Sequence, residues 1–294
     1  MLTGDKDMKK RVATVGTFDG LHKGHRRVLE IVKREAGIRD MEPLVICFDR
    51  HPLETVAPHK APGFIQSPSE RTNELYREGF ALLTLEFSLE LSQLSAAQWM
   101  RKIHEEQGVE VLVVGYDNTF GCDGTKMNLA DYRKIGREMG MEVIEAPYEP
   151  HASSSAIRHF LTDGSIDKAS AILGRPFKVA GEVVPGKRLG ASIGFPTANL
   201  HLPYRAHLPG SGVYEVEVTL PSGESRKAVA NIGVQPTVAK DAPVRFEVHI
   251  PGFRANLYGS RLEVKFIRRL RDEMKFDSVE DLKKQISLDI EAIK

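Results

Sequence analysis

The hydrophobic period changes repeatedly along the first half of the chain, and each change marks an element. Residues 11–17 form a short β-rich run, and 43–48 and 80–85 are apolar runs of the kind that buried strands show. Residues 109–115 are almost entirely apolar, as a central parallel strand covered on both faces should be. Helical patterns lie between them. Residues 24–36 place Val28, Leu29, Ile31 and Val32 at apolar positions, 96–107 and 129–140 are further helices, and 141–146 is a strand. Strand and helix in alternation predict a doubly wound parallel sheet with right-handed crossovers. Ligands of such sheets sit at the carboxyl ends of the strands, near the topological switch point.

The pattern changes after a short helix at 166–173. Strand-like runs follow at 177–184, 212–220, 227–233, 244–250 and 262–267, with a turn signal at Pro221-Ser222-Gly223. A final amphipathic helix spans 278–293, with Ser278 as its N-cap. Short strands followed by one helix predict a small closed β-barrel. The fold class is therefore α/β plus β. The boundary falls near Gly174-Arg175-Pro176, giving domains 9–173 and 174–294 with no internal repeat and no low-complexity linker.

Composition narrows the function. A chain of 294 residues has room for two domains with their own cores. Lys and Arg total 41 against 40 Asp and Glu, a formal charge of +1, and no basic stripe is present. No nucleic-acid partner is expected, and any phosphate chemistry should be local. No apolar run reaches the roughly 18 residues that span a bilayer, so no membrane partner is expected either. The first ten residues are charged and lack an apolar core, which does not read as a secretory signal, and the first eight read as a loose tail. Cys47 and Cys122 are the two cysteines, too few for a disulfide framework or a structural zinc site, and a cytoplasmic location follows. Between copies of the chain, at most weak self-association is expected.

Two segments carry candidate chemistry. The stretch 181–200 reads GEVVPGKRLGASIGFPTANL, with Gly181, Gly186, Gly190 and Gly194 ahead of Thr197 and Asn199. Glycines let a backbone approach a phosphate, and successive N–H groups can then face an anion. Thr197 and Asn199 offer neutral oxygens of the kind that suit nucleotide-bound Mg²⁺. Glycines alone fit a ligand-free barrel hairpin better. The second segment, Gly16-Thr17-Phe18-Asp19-Gly20-Leu21-His22-Lys23-Gly24-His25, follows the first strand and opens the first helix. Helix N-termini bind phosphate, and His22 and His25 share a face if the helix starts between them. Two surface histidines or a metal pair remain open, although the i, i+4 spacing of a helical zinc protease is absent.

These segments resemble the bacterial bifunctional riboflavin kinase/FAD synthetase family. From about residue 174 onward the 181–200 stretch is similar to its flavokinase signature, and further motifs follow in order. They are Gly212-Val213-Tyr214, Ala230-Asn231-Ile232-Gly233 with Pro236-Thr237, Glu247-Val248-His249, Leu257-Tyr258-Gly259, Leu270-Arg271-Asp272-Glu273, and the closing stretch Glu280–Asp289 with Leu282, Gln285 and Ile286. Over about 11–173, the His22–His25 stretch resembles the family's nucleotidyltransferase signature. Phe48-Asp49-Arg50-His51-Pro52, Gly115-Tyr116-Asp117-Asn118-Thr119-Phe120-Gly121 and Ser153-Ser154-Ser155-Ala156-Ile157-Arg158 resemble three more of its motifs. The resemblance implies a Rossmann-like nucleotidyltransferase domain followed by a flavokinase barrel.

The resemblance also implies two reactions. In the second domain the ribityl 5′-hydroxyl of riboflavin attacks the γ-phosphate of ATP. Glu247 is then the general base, Thr197 the metal ligand with Asn199 in support, and Gly186, Lys187, Gly194, Pro196, Asn199 and Arg271 hold ATP or flavin. In the first domain FMN attacks the α-phosphate of a second ATP, giving FAD and pyrophosphate. His22, His25 and Arg158 stabilise charge there, and Gly16, Phe18, Asp19, Gly24, Asp117, Ser154 and Ser155 bind ATP. Mg²⁺ with ATP is the implied cofactor, and riboflavin, FMN and FAD are substrates and products. Ser153–Ser155 also fit a plain N-cap cluster, Arg158 a surface salt bridge and Glu247 an exposed strand charge. The chain departs from the family pattern at Arg50, at Asn118, in the loop 122–126, and at Leu189 and Ala191. The changes at Asn118 and after Cys122 leave open a monofunctional kinase with a degenerate first domain. A different adenylyltransferase and a non-catalytic flavin-binding protein are further alternatives.

Overall fold

The computed structural model describes residues 9–116, 119–186, 189–234 and 244–294. The chain divides into two compact units. One runs to Pro62 and resumes over Pro68–Ala152, and the other comprises Gly63–Ser67 and Ser153–Lys294.

The first unit is built on β1 (Arg11–Val15), α1 (Lys23–Arg39), β2 (Glu42–Phe48), α2 (Pro52–Val56), α3 (Pro68–Arg77), β3 (Ala81–Leu85), α4 (Leu89–Gln93), α5 (Ala96–Gln107), β4 (Val109–Val114), α6 (Leu129–Glu138) and β5 (Glu142–Glu145). All pairings in its five-stranded sheet are parallel, in the order β3-β2-β1-β4-β5. This is the doubly wound sheet that the alternation predicts. Side chains alternate across each strand and feed two cores. Ala13, Val15, Ile46 and Val114 pack with Trp99, Met100 and Tyr132, whereas Val12, Val45, Val111 and Val113 pack with Val28, Leu29 and Val32 of α1. Both faces are covered, which is why the strands read as continuous apolar runs. The order reverses between β1 and β4, so the loops leaving those two strands flank the switch point.

The second unit contains α7 (Ser154–Thr162), α8 (Ile166–Leu173), β6 (Lys178–Val184), α9 (Leu189–Ser192), β7 (Ala198–His201), β8 (Gly212–Thr219), β9 (Ser225–Val234), β10 (Val244–His249), β11 (Arg261–Arg271) and α10 (Val279–Glu291). Its strands close into an antiparallel barrel in the order β10-β7-β6-β11-β8-β9. Leu262, Val264 and Phe266 of β11 and Tyr214, Val216 and Val218 of β8 point inward at a period of two. Strand β7 lies inside the glycine-rich segment and is missing from the pattern-based reading. Only Leu200 of its four residues is buried, so no alternation announces it. Helix α10 starts where expected, with the Ser278 hydroxyl accepting from Asp281 N at 3.1 Å.

Helices α7 and α8 pack with the barrel. Their inward faces, Ile157 and Leu161 on one and Ile166, Ala169 and Leu173 on the other, share a core with Phe177, Val179 and Phe266. Residues 63–67 join the same unit. Phe64 N donates to Arg205 O and His207 N to Phe64 O, both at 2.8 Å. The His207 ring fastens the end of α7, with Nε2 3.0 Å from Arg158 O and 3.1 Å from Thr162 Oγ1. Burial holds His207 below the usual imidazole range, opposed by its bond to the Arg158 carbonyl. A lowered folded-state pKa means the unfolded chain binds the proton more readily. The stabilisation is therefore complete above the unfolded pKa of about 6.5 and fades as pH falls through the folded value. Thermal melts at neutral and mildly acidic pH should show a steeper acid loss for the parent chain than for His207→Asn. Equal acid slopes would exclude His207 as the titrating group.

Candidate active sites

The loop between β1 and α1 is short, buried and strained. Phe18 and Leu21 take left-handed backbone at φ 47° and 44°, and Gly20 sits between them at φ 88°. Phe18, Asp19, Leu21 and His22 are all at most 5% exposed. His22 caps α1, its Nδ1 accepting from His25 N at 3.3 Å. The helix thus begins between the two histidines, and their rings stack with centroids 3.6 Å apart and 18° between planes. The Phe18 ring lies 5.1 Å from that of His25. Gly16 donates its N–H to Ile46 O, and a Cβ on it would touch the Phe18 ring at 3.3 Å. A Cβ on Gly24 would sit 2.9 Å from Ala152 O and 3.2 Å from His22. The N-terminal end of α1, its helix dipole and two imidazoles therefore converge at the carboxyl end of β1, an arrangement suited to an anion.

Arg71 of α3, which the sequence reading passed over, reaches this loop and donates to Thr17 O and Phe48 O. Asp117 and Asn118 lie outside the described residues. The loop beyond them is held by structural bonds. Tyr132, whose phenol is pushed up by burial, bonds both backbone groups of Phe120 at 3.2 Å. Asp123 accepts from Ala96 N at 2.8 Å, and Cys122 N donates to Leu94 O. Ser154, Ser155 and Arg158 lie on α7 in the second unit, capped by Ser153. Arg158 Nε donates to Gly63 O at 3.0 Å, in that same unit.

In the barrel, β7 and β10 put Asn199 opposite Glu247, and β9 puts Asn231 opposite Glu247 on its other side. Thr197 Oγ1 approaches Glu247 Oε2 at 3.4 Å, and Arg245 Nε lies 3.5 Å from Oε1. His249 is 9% exposed and its Nδ1 lies 2.8 Å from Pro196 O. These side chains border a cavity of about 300 Å³ whose far wall is apolar, with Met274, Phe276, Leu282 and Ile286. Thr197 also borders a second cavity of about 280 Å³, formed with Pro196 and residues 253–258. Arg271 lines the first cavity but is clamped by Asp289 of α10, Nε to Oδ1 at 2.9 Å and Nη2 to Oδ2 at 2.8 Å. Gln285 adds a bond to the same carboxylate at 3.0 Å. Gly194 occupies an exposed turn at φ 96°, and Lys187 lies outside the described residues.

A family model described as FAD synthetase matches residues 4–156, and one described as riboflavin kinase matches residues 173–294. A bifunctional riboflavin kinase/FMN adenylyltransferase of Pseudomonas fluorescens is 37% identical over 287 residues, 96% of this chain and 91% of its own length. The chain belongs to this bifunctional family. The riboflavin kinase/FMN adenylyltransferases of Escherichia coli K12 (35%, covering 95% and 90%) and Bacillus subtilis 168 (30%, covering 97% and 92%) agree. A solved structure described as a macrolide-efflux protein of Streptococcus pneumoniae matches with a TM-score of 0.85 and 34% identity, over 98% of this chain and 96% of that one. Efflux is a description of that protein. Among the described residues of this chain, no helix is long and apolar enough to cross a membrane. As a member of the family, the chain phosphorylates riboflavin to FMN and adenylylates FMN to FAD with release of pyrophosphate.

Within the riboflavin kinase/FMN adenylyltransferase frame, the sequence reading gave no role to Arg245, His249, Asn231 or Asp289 at the barrel cavity, although the last three lie within the motifs that carry the resemblance. Strand periodicity offered a further signal for two of them. Residues 245, 247 and 249 share a face at the strand period, so one functional residue on β10 implicates its second neighbours. Gly186 shows how tightly the site is packed, because a Cβ there would overlap the Asn199 side-chain amide. Gly186→Ala must therefore displace the Asn199 amide. Riboflavin phosphorylation by this variant should fall at least about tenfold, about 1.4 kcal/mol of transition-state stabilisation, with FMN adenylylation unchanged. Assaying each reaction separately checks this, and unaltered kinase kinetics would show that the amide position is immaterial.

Proposed function

We propose that riboflavin phosphorylation runs between the two barrel cavities that share Thr197, with the functional boundary at 173–174. The observation that carries this reading is the Thr197 hydroxyl 3.4 Å from Glu247 Oε2, with Asn199 opposite that glutamate in the ladder. The apolar wall at Met274, Phe276, Leu282 and Ile286 suits a flavin ring, and the cavity beside 253–258 suits ATP. Glu247 takes the proton from the ribityl 5′-hydroxyl as its oxygen bonds to the γ-phosphorus and the bond to the ADP oxygen breaks. A hydroxyl, an amide oxygen and a carboxylate are hard oxygen donors, and this set fits Mg²⁺. Thr197 and Asn199 would hold the ion. When bound it would neutralise charge on the ATP phosphates.

For adenylylation, a phosphate oxygen of FMN bonds to the α-phosphorus of ATP as the bond to pyrophosphate breaks. The N-terminus of α1 and the stacked histidines supply the positive potential. With His22 Nδ1 occupied as an acceptor, a neutral His22 carries its proton on Nε2 and donates from there. Gly16, Phe18, Asp19 and Gly24 shape this loop, while Asp117, Ser154, Ser155 and Arg158 are assigned to ATP on their motifs alone. In the kinase, Gly186, Lys187, Gly194, Pro196 and Arg271 keep the nucleotide or flavin roles that the motif implies. We also assign the chain to the cytosol, without a nucleic-acid partner, because Cys47 and Cys122 are free thiols and the net charge is +1.

The deciding assay supplies riboflavin, Mg²⁺ and excess ATP and follows flavins by chromatography. FAD that grows in after FMN is the expected result. FMN that accumulates without FAD, even from supplied FMN under reducing conditions, would restore the monofunctional reading. Glu247→Gln should lower FMN formation by about 10²–10⁴-fold with the fold intact, and a folded, active Gln variant removes Glu247 as the base. Replacing His22 and His25 together with Ala should lower FAD formation by about 10²-fold or more and spare FMN formation. Loss of both activities would contradict independent sites.

A further inference from the structure

Arg71 is 1% exposed and heads the fully buried side chains by volume. It sits on the inner face of α3 one turn before Leu75, within the otherwise polar run Ser69–Asn73. Among the described residues it makes no ion pair, and its Nε has no hydrogen-bond partner. Its fork instead spans two carbonyls, Nη1 donating to Thr17 O at 2.6 Å and Nη2 to Phe48 O at 3.0 Å. Burying a guanidinium on carbonyls alone is costly, and an apolar side chain of similar volume would serve a core better. The Phe48 carbonyl is the last of β2 and the Thr17 carbonyl lies two residues past the end of β1, its neighbour in the sheet.

We propose that Arg71 is a positioning residue for FMN adenylylation. The Thr17 carbonyl belongs to the peptide that joins Thr17 to Phe18 within the β1–α1 loop. In a trans peptide the N–H points opposite to the C=O. Anchoring that oxygen on Arg71 therefore aims the Phe18 N–H away from it and fixes the plane from which Phe18 enters its left-handed conformation. The conformation of Phe18 and Leu21 in turn places His22 at the start of α1. Local strain of this kind persists only when the surroundings over-determine it, and a planar two-pronged donor on two strand ends does so. A lysine, with its single flexible ammonium, cannot bridge both carbonyls in that plane. This inference rests on the reading that the β1–α1 loop and the first turn of α1 hold the ATP phosphates.

The test uses the full chain with Arg71→Lys and Arg71→Met, beside the His22→Ala/His25→Ala variant. Trp99, the one tryptophan, lies in the core of the first unit and reports its folding. Both Arg71 variants should unfold cooperatively and phosphorylate riboflavin normally. The turnover number for FMN adenylylation should fall by about 10²-fold in Arg71→Met, with a smaller change in the KM for ATP, because the loss falls on charge developing in the transition state. Arg71→Lys should restore only part of it. A folded variant with turnover within about threefold of the parent overturns the proposal. So does a loss fully accounted for by the unfolded fraction, or failure of both variants to fold, since either makes Arg71 structural only. Adenylylation that survives in the double histidine variant removes the underlying phosphate-site reading. Its loss there beside full activity in the Arg71 variants removes this inference alone.

Discussion

The pairing of β7 with β10 is the constraint on which the barrel site depends. It brings Asn199 opposite Glu247, while β6 pairs Val184 with Asn199 on the other side. Side chains alternate strictly along a strand, so a slip of one residue would turn Glu247 out of the cavity and put Phe246 in its place. Closure of the barrel prevents that slip, because β10 is also registered against six residues of β9. His249 fastens the approach to β7 through the Pro196 carbonyl. Its role is thereby read from geometry: the strand that carries Glu247 also secures the turn that delivers Thr197.

The parallel sheet builds the proposed phosphate site by a different route. A parallel strand must be followed by a crossover, and the turn into the crossover helix leaves N–H groups unpaired at the helix start. In this chain that turn is compressed into seven residues between Val15 and Lys23 and is almost wholly buried. Its left-handed residues are not glycines alone. Phe18 and Leu21 carry the strain because both side chains fill the α1-side core. Packing and site geometry are thus coupled at the same positions.

Elements with a strong hydrophobic period were legible in the sequence, and those without were not. The sheet strands, α1, α5, α6, α10 and most barrel strands fall where their periods predict. Helices α2 and α4 are five residues long, and neither buries a residue completely. Helix α3 buries Arg71 and Leu75 only, and a charged residue reads as solvent-facing until its partners are known. Membership of α7 and α8 in the barrel unit depends on distant partners such as Phe177 and Phe266, which no local window contains. For the sites, motif resemblance located Thr197, Asn199 and Glu247, which the barrel brings together. It ended on Asp289 without giving it a role, and the structure shows this carboxylate paired with Arg271.

That occupation bears on how a nearly neutral chain handles phosphates. Barrel strands carry many cations, but Lys178, Lys265 and Arg268 pair with Glu263, Glu217 and Glu215 at 2.6–2.7 Å. Arg271 is matched by Asp289. Half-exposed pairs such as Lys178–Glu263 and Lys265–Glu217 add little stability, yet each removes a mobile positive charge from competition for anions. With a net charge of +1, no long-range field draws ATP toward the whole surface. Under the proposed assignment, attraction comes from groups whose geometry is set by the backbone: the open end of α1 and the strained loop before it, with the oxygen donors of the barrel ladder acting through the Mg²⁺ they would hold. Selectivity for a nucleotide follows from that restriction, since a diffuse basic surface would bind any polyanion.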